Sequence, residues 1–124
     1  MAKKILVVDD EPDVVTYLST VLTDAGYEAV PAYNGDEALK RVAESRPDLI
    51  TLDITMPEMT GVKAYRKLKE DPGLRKIPVV IVTGVTHDFK RFISTREQVP
   101  PPEGYLEKPV KPEELLAEIR RLVG

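Results

Sequence analysis

A parallel α/β fold, with a five-stranded sheet held between two layers of helix, is predicted for this 124-residue chain by three features. Short apolar runs alternate with segments of helical period from end to end, the pattern of β/α units rather than of separate hairpins. The run from Ile77 to Thr83 is almost unbroken in apolar residues, as a central parallel strand buried on both faces requires. Two other runs, Ile5-Leu6-Val7-Val8 and Leu49-Ile50-Thr51-Leu52, stop at aspartates: Asp9 and Asp10 after the first, Asp53 after the second.

Each element follows in order. Lys4 to Asp9 is predicted as the first strand. Pro12 then sits where a first helical turn tolerates proline, and Val15, Leu18, Leu22 and Ala25 recur at helical spacing until Gly26 stops the helix. Tyr27 to Ala32 reads as the second strand. Asn34, with Glu37 three residues on, resembles a capping box opening a helix that buries Leu39, Val42 and Ala43 and closes at Pro47. Asp48 to Asp53 is the third strand, followed by a loop containing Met56-Pro57 and Gly61. A helix burying Val62, Tyr65 and Leu68 comes next, and Asp71-Pro72-Gly73 turns the chain. After the fourth strand, Ile77 to Thr83, a helix is expected over Asp88 to Gln98, ended by Pro100-Pro101-Pro102. Tyr105 to Glu107 is the fifth strand. Pro112 opens a last helix with Leu115, Leu116, Ile119, Leu122 and Val123 on one face.

Length and absence of a dividing linker predict one domain over residues 1–124. The balance of 42% hydrophobic and 31% charged residues excludes a chain too polar to collapse. A net charge of -3 gives no basic footprint for nucleic acid, and no apolar run approaches a membrane span, so neither partner is expected. The absence of cysteine excludes thiol catalysis and thiolate metal sites. Only four apolar residues follow Met1-Ala2-Lys3-Lys4 before the acids, too few for a secretory signal, and a cytoplasmic location is the expectation.

The chemistry-bearing residues all fall at carboxyl ends of predicted strands, where open parallel sheets bind ligands. Asp9 and Asp10 end the first, Asp53 the third and Thr83 the fourth; Lys108 follows the fifth, before Pro109. Clustered carboxylates repel one another unless a cation binds or a proton is taken up, and their oxygens suit a hard cation. Lysine neutralises an anionic group and a threonine hydroxyl donates a hydrogen bond to it. Phosphoryl transfer needs this combination, because its catalysis is mostly positioning and charge stabilisation; Asp53 is then the candidate nucleophile.

In Asp9-Asp10, Asp53-Ile54-Thr55-Met56-Pro57-Glu58-Met59-Thr60-Gly61, Thr83-Gly84 and Tyr105-Leu106-Glu107-Lys108-Pro109, the chain resembles the receiver domains of two-component response regulators, and is similar to the single-domain chemotaxis regulators. The resemblance implies a flavodoxin-like fold with strand order 2-1-3-4-5. It implies that Asp53 accepts a phosphoryl group from a sensor histidine kinase or a phosphotransfer protein. Asp9, Asp10, Asp53 and the Thr55 backbone carbonyl would hold Mg²⁺ or Mn²⁺, with Asp9 acting through water. Lys108 would pair with the phosphoryl oxygens after a cis peptide to Pro109. Thr83 would move to hydrogen-bond the phosphoryl group and Tyr105 would turn inward, altering the surface of the fourth helix, fifth strand and fifth helix for a downstream protein or output domain. The expected state is a monomer or a phosphorylation-dependent dimer. Such a chain promotes its own phosphorylation and dephosphorylation without being an enzyme in the turnover sense.

Other readings of the same residues are open at this level. Asp9, Asp10 or Asp13 could cap the helix near Pro12, Tyr105 could pack in a core, and Lys108 could be a solvated charge. His87 reads as a solvated loop or helix-start residue, and Lys90, Arg91 and Arg96 as a solvated helix face that could also meet an acidic partner. A haloacid-dehalogenase-like phosphatase would need a second aspartate at position 55, where Thr55 stands. A flavodoxin-like flavin carrier would place its phosphate against Asp9 and Asp10, which repel it. A receiver-like interaction module that works without phosphorylation is the alternative function. Two places depart from, or vary within, the receiver pattern. Val99-Pro100-Pro101-Pro102-Glu103-Gly104 replaces the usual small-residue turn and is expected to stiffen that edge and narrow partner choice; Thr55 and Val85 lie where side chains affect attacking water.

Overall fold

The computed structural model describes residues 2–84 and 101–124. In chain order these form β1 (Lys4–Val8), α1 (Pro12–Asp24), β2 (Glu28–Ala32), α2 (Gly35–Glu44), β3 (Leu49–Asp53), a 3-10 turn (Pro57–Met59), α3 (Thr60–Glu70), β4 (Val79–Thr83), β5 (Gly104–Glu107) and α4 (Pro112–Val123). The helix expected over Asp88 to Gln98 lies outside the described residues, as do His87, Lys90, Arg91, Arg96, Val85 and Pro100. α4 is thus the last helix of the predicted order.

All pairings are parallel and the strand order is β2-β1-β3-β4-β5, as the resemblance implied. Period-two alternation divides the core. Leu6, Val8, Ile50, Leu52, Val79 and Ile81 face Ala38 and Val42 of α2 and Tyr65 and Leu68 of α3. Ile5, Val7, Leu49, Val80 and Val82 face Val15, Leu18 and Leu22 of α1 and Leu115 and Ile119 of α4. A sheet covered on both sides explains why β3 and β4 are buried along their whole length.

Proline sets several boundaries. Pro12 and Pro112 stand in the first turn of α1 and α4, where a missing N–H costs nothing. β4 begins at Val79 rather than Ile77 because Pro78 cannot donate to the ladder; Ile77 instead donates its N–H to Leu74 O in the preceding turn. In edge strand β2, the bonds Glu28 N–H to Lys3 O and Asp9 N–H to Ala32 O turn alternate residues toward β1. Pro31 therefore faces outward, where no donor is needed.

The helices also differ from expectation in detail. α1 has no side-chain cap: Glu11 occupies the N-cap position without such a bond, so none of Asp9, Asp10 or Asp13 caps it. It ends at Gly26 as expected, with φ at 93°. In α2, Asn34 accepts from Glu37 N–H at 2.7 Å, while Glu37 Oε1 returns to Tyr33 N–H at 3.1 Å, one residue earlier than in the usual box. The face it buries runs through Gly35, Ala38 and Val42, spaced three and four apart, with Leu39 half-buried beside it; Ala43 lies about 100° round the helix from Val42 and is exposed.

α3 buries Lys69 beside Tyr65 and Leu68. The ammonium is 2.8 and 2.9 Å from the two Glu103 carboxylate oxygens and donates to Arg75 O at 3.1 Å. Glu103 Oε1 also accepts from Val79 N–H, and Arg121 donates to Glu103 O. One ion pair thus joins α3, β4, α4 and the residue leading into β5. Among the described residues no helix is long and apolar enough to cross a membrane.

Candidate phosphoacceptor and metal site

Register brings the strand ends to one edge: Val8 pairs with Leu52, Asp53 with Val82, and Thr83 with Glu107. Asp9 extends β1 by one more ladder bond, to Ala32 O, so its side chain turns into the sheet edge and is buried. Asp10 follows on the exposed side. One carboxylate oxygen from each of Asp9, Asp10 and Asp53 lies within 4.8 Å of the others. The predicted trio is assembled.

Lys108 faces the same cluster. Its N–H donates to Thr83 O at 2.9 Å, joining the residue after β5 to the end of β4, and the Lys108–Pro109 peptide is cis. Its Nζ is 2.8 Å from Asp9 Oδ2, 3.2 Å from Asp53 Oδ2 and 3.5 Å from Glu11 Oε1. Burial opposes the ammonium, but the Asp9 and Asp53 carboxylates outweigh it and its pKa stands above the ordinary 10.5. Lys108 is therefore fully charged at neutral pH. Burial raises the Asp9 pKa above 3.8; Lys108 and the Glu11 amide pull it back, and the Asp53 charge adds to the rise.

Asp53 is gripped at both oxygens. Oδ1 accepts from Thr55 N–H at 2.8 Å and from the Thr55 hydroxyl at 2.6 Å, leaving Oδ2 to Lys108. The close approach of α3 fixes the loop behind it: a Cβ on Gly61 would lie 2.2 Å from Asp53 O, which glycine alone accommodates. Between them Glu58 takes a left-handed φ of 58°, a conformation costly for a residue with a Cβ.

Do these residues suit a hard divalent cation? The donors are carboxylate oxygens at close quarters, with Asp9 Oδ2 buried and lacking an aligned hydrogen bond although Lys108 lies within ion-pair distance. A buried acceptor with unused capacity, in a cluster carrying more negative charge than one lysine cancels, fits Mg²⁺ or Mn²⁺.

Of the other residues named from sequence, Thr83 is buried at the end of β4, and Tyr105 is 54% exposed on β5, so it is not the core aromatic of the alternative reading. Two partners were not anticipated. The Thr55 amide and hydroxyl hold Asp53, a contact separate from the carbonyl role the resemblance implies; the spacing of two residues after a strand-end acid is the signal that could have shown this. The second is Glu11, which directly follows the acid pair and brings a further carboxylate to within 3.5 Å of Lys108.

Residues 5–120 match the family described as "Response regulator receiver domain". Protein Rrf1 of Nitratidesulfovibrio vulgaris is 36% identical over 124 residues, covering 100% of this chain and 85% of its own length. The alkaline phosphatase synthesis transcriptional regulatory protein PhoP of Bacillus subtilis is 32% identical over 123 residues, 99% of this chain but 49% of PhoP. The DNA-binding response regulator MtrA of Mycolicibacterium smegmatis is 36% identical over 97% of this chain and 50% of MtrA. The chain thus spans about half the length of the last two. Among solved structures, the chemotaxis response regulator CheY4 of Vibrio cholerae superposes with a TM-score of 0.85 at 31% identity, over 99% of this chain and 100% of that one. The receiver domain of a signal transduction histidine kinase from Syntrophus aciditrophicus gives 0.86 at 34% identity, over 98% and 90%. With its acids, lysine and threonine gathered at one sheet edge, and with matches that run nearly its whole length, the chain belongs to the response regulator receiver domain family.

Proposed function

We propose that the chain, acting as one receiver domain over residues 1–124, is a switch thrown by phosphorylation of Asp53. The observation that carries this reading is the grip on Asp53: a buried carboxylate at the end of a central strand, oriented by Thr55 at one oxygen and facing the Lys108 ammonium at the other. An Asp53 oxygen forms a bond to phosphorus as the P–N bond of a phosphohistidine on a sensor histidine kinase or phosphotransfer protein breaks, the electron pair leaving with the imidazole. Lys108 offsets charge on the phosphoryl oxygens, and the preset geometry lowers the cost of reaching the in-line arrangement.

Asp9, Asp10 and Asp53, with the Thr55 carbonyl, would hold Mg²⁺ or Mn²⁺. When bound, such an ion neutralises surplus charge of the acids and of the phosphoryl group. The Thr83 hydroxyl then hydrogen-bonds the phosphoryl group, and Tyr105, exposed in the described state, turns inward. The altered surface comprises the helix expected over Asp88 to Gln98, β5 and α4, and it meets a downstream protein or an attached output domain, as a monomer or a phosphorylation-dependent dimer. The chain is a phosphoacceptor that assists its own phosphorylation and dephosphorylation, acting in the cytoplasm where a kinase draws on ATP.

Incubation with acetyl phosphate and Mg²⁺, followed by intact-mass measurement, tests the reading. Wild type gains one phosphoryl group, while chelator-treated wild type and Asp53→Ala gain none. Wild type that takes no phosphoryl group from either acetyl phosphate or phosphoramidate, or equal gain in Asp53→Ala, contradicts it.

A further inference from the structure

Lys108 is approached by one carboxylate more than the phosphoacceptor site accounts for. Glu11 stands at the N-cap of α1 with extended backbone, φ -95° and ψ 111°, yet its side chain caps nothing. Its N–H donates to Asp9 Oδ1 at 3.0 Å, which braces the acidic cluster. Its Oε1 reaches the other way, to within 3.5 Å of Lys108 Nζ. Asp9 and Asp53 meet that ammonium from inside the protein, whereas the Glu11 side chain is 64% exposed. With Lys108, Glu11 lines the cleft between α1 and the segment through Val110. The lysine thus has two inner counter-ions and one at the mouth.

We propose that Glu11 is a specificity-determining residue for the charge of the phosphodonor, disfavouring strongly anionic donors such as small acyl phosphates. This rests on the assignment of Asp53 as phosphoacceptor. A phosphoryl group transferring to Asp53 brings its oxygens to the ammonium that Glu11 already faces, so donor and side chain compete for one positive charge. Glu11 Oε1 and Asp53 Oδ2 both lie against that single nitrogen, which sets them closer together than the Debye length of about 8 Å at physiological ionic strength. Repulsion at this distance is therefore felt, and it scales with the donor's charge. Because Glu11 is exposed, the effect is moderate and weakens with salt.

The test compares acetyl phosphate, a dianion at neutral pH, with phosphoramidate, a net monoanion, at saturating Mg²⁺ and low ionic strength, with Asp53→Ala as the blank. Glu11→Gln keeps the size and removes the charge. The expected result is a rise of about three- to tenfold in the second-order rate constant with acetyl phosphate, a clearly smaller rise with phosphoramidate, and shrinkage of both at high salt. Glu11→Asp, which keeps the charge, retains the wild-type ratio between donors. Equal changes for the two donors, no change, a gain that survives high salt, or Glu11→Asp behaving like Glu11→Gln overturns the proposal. In each of those outcomes the wild type is still phosphorylated, so the Asp53 assignment stands; a wild type that takes no phosphoryl group from either donor overturns both.

Discussion

Asp9 is the residue where stability and function pull hardest against each other. Its carboxyl is buried and its pKa is raised above 3.8, so the folded protein holds that proton more tightly than the unfolded chain does. A group of this sign contributes stability that is fully present below the unfolded value and is lost as pH rises through the higher folded value. At neutral pH and without a divalent cation, ionised Asp9 therefore costs stability. Asp9→Asn is expected to raise the melting temperature by a few degrees in chelator at pH 7, with the gain over wild type shrinking as pH is lowered toward the ordinary carboxylate value; thermal unfolding at several pH values checks it. In wild type, Mg²⁺ at a hundredfold excess over Kd should add about 2.7 kcal/mol, and Asp9→Asn should lose much of that gain. A lower melting temperature for the variant in chelator would show that Lys108 more than repays the burial of Asp9. Lys108 has the same sign at the other end of the scale: its contribution is fully present below 10.5 and fades only as pH climbs past its raised value.

At the scale of elements, two contacts hold the site's scaffold. Gly61 lets α3 press on the end of β3, and Gly61→Ala would drive a methyl group into Asp53 O. The expected cost is about 1–3 kcal/mol, together with slower phosphorylation, read by urea unfolding and by the rate with a small phosphodonor. The second contact is the Lys69–Glu103 pair. Glu103→Gln leaves a fully buried ammonium short of its counter-charge and is expected to cost about 3 kcal/mol, whereas Lys69→Met combined with Glu103→Leu should recover most of that loss. A near-zero effect of the single change would mean that the backbone carbonyls suffice for Lys69. Such contacts mark the limit of what could be read from the chain alone. Strands and helices were legible because periods of two and 3.6 are local, and prolines and Gly26 announced most boundaries. Lys69 follows Tyr65 by four residues and so lies on the buried face, but its partner is 34 residues away and no local pattern names it. The bond from the Thr55 hydroxyl to Asp53 depends on how one loop folds back, which composition does not reveal.

Across the whole molecule, the strand order determines why acids from β1 and β3 meet a lysine from beyond β5. β1 and β3 are neighbours at the centre, β4 lies next, and the bond from Lys108 N–H to Thr83 O closes the edge. Sheet order therefore does the assembling, and the residues were identifiable from sequence because Asp9, Asp10, Asp53 and Thr83 close apolar runs and Lys108 follows the short fifth strand, before Pro109. What the pattern of runs could not supply was the charge balance: three acids and one lysine were foreseen, while Glu11 at the mouth was not. The proposed switch turns on conversion of the Asp53 carboxylate to an acyl phosphate. Borohydride reduction of the protein after treatment with a phosphodonor and Mg²⁺, followed by peptide sequencing in the mass spectrometer, tests it directly, because an acyl phosphate is reduced to an alcohol and aspartate becomes homoserine. Homoserine is expected at position 53 alone; homoserine at Asp9 or Asp10, or at no position in protein shown to carry phosphate, would overturn the assignment of Asp53.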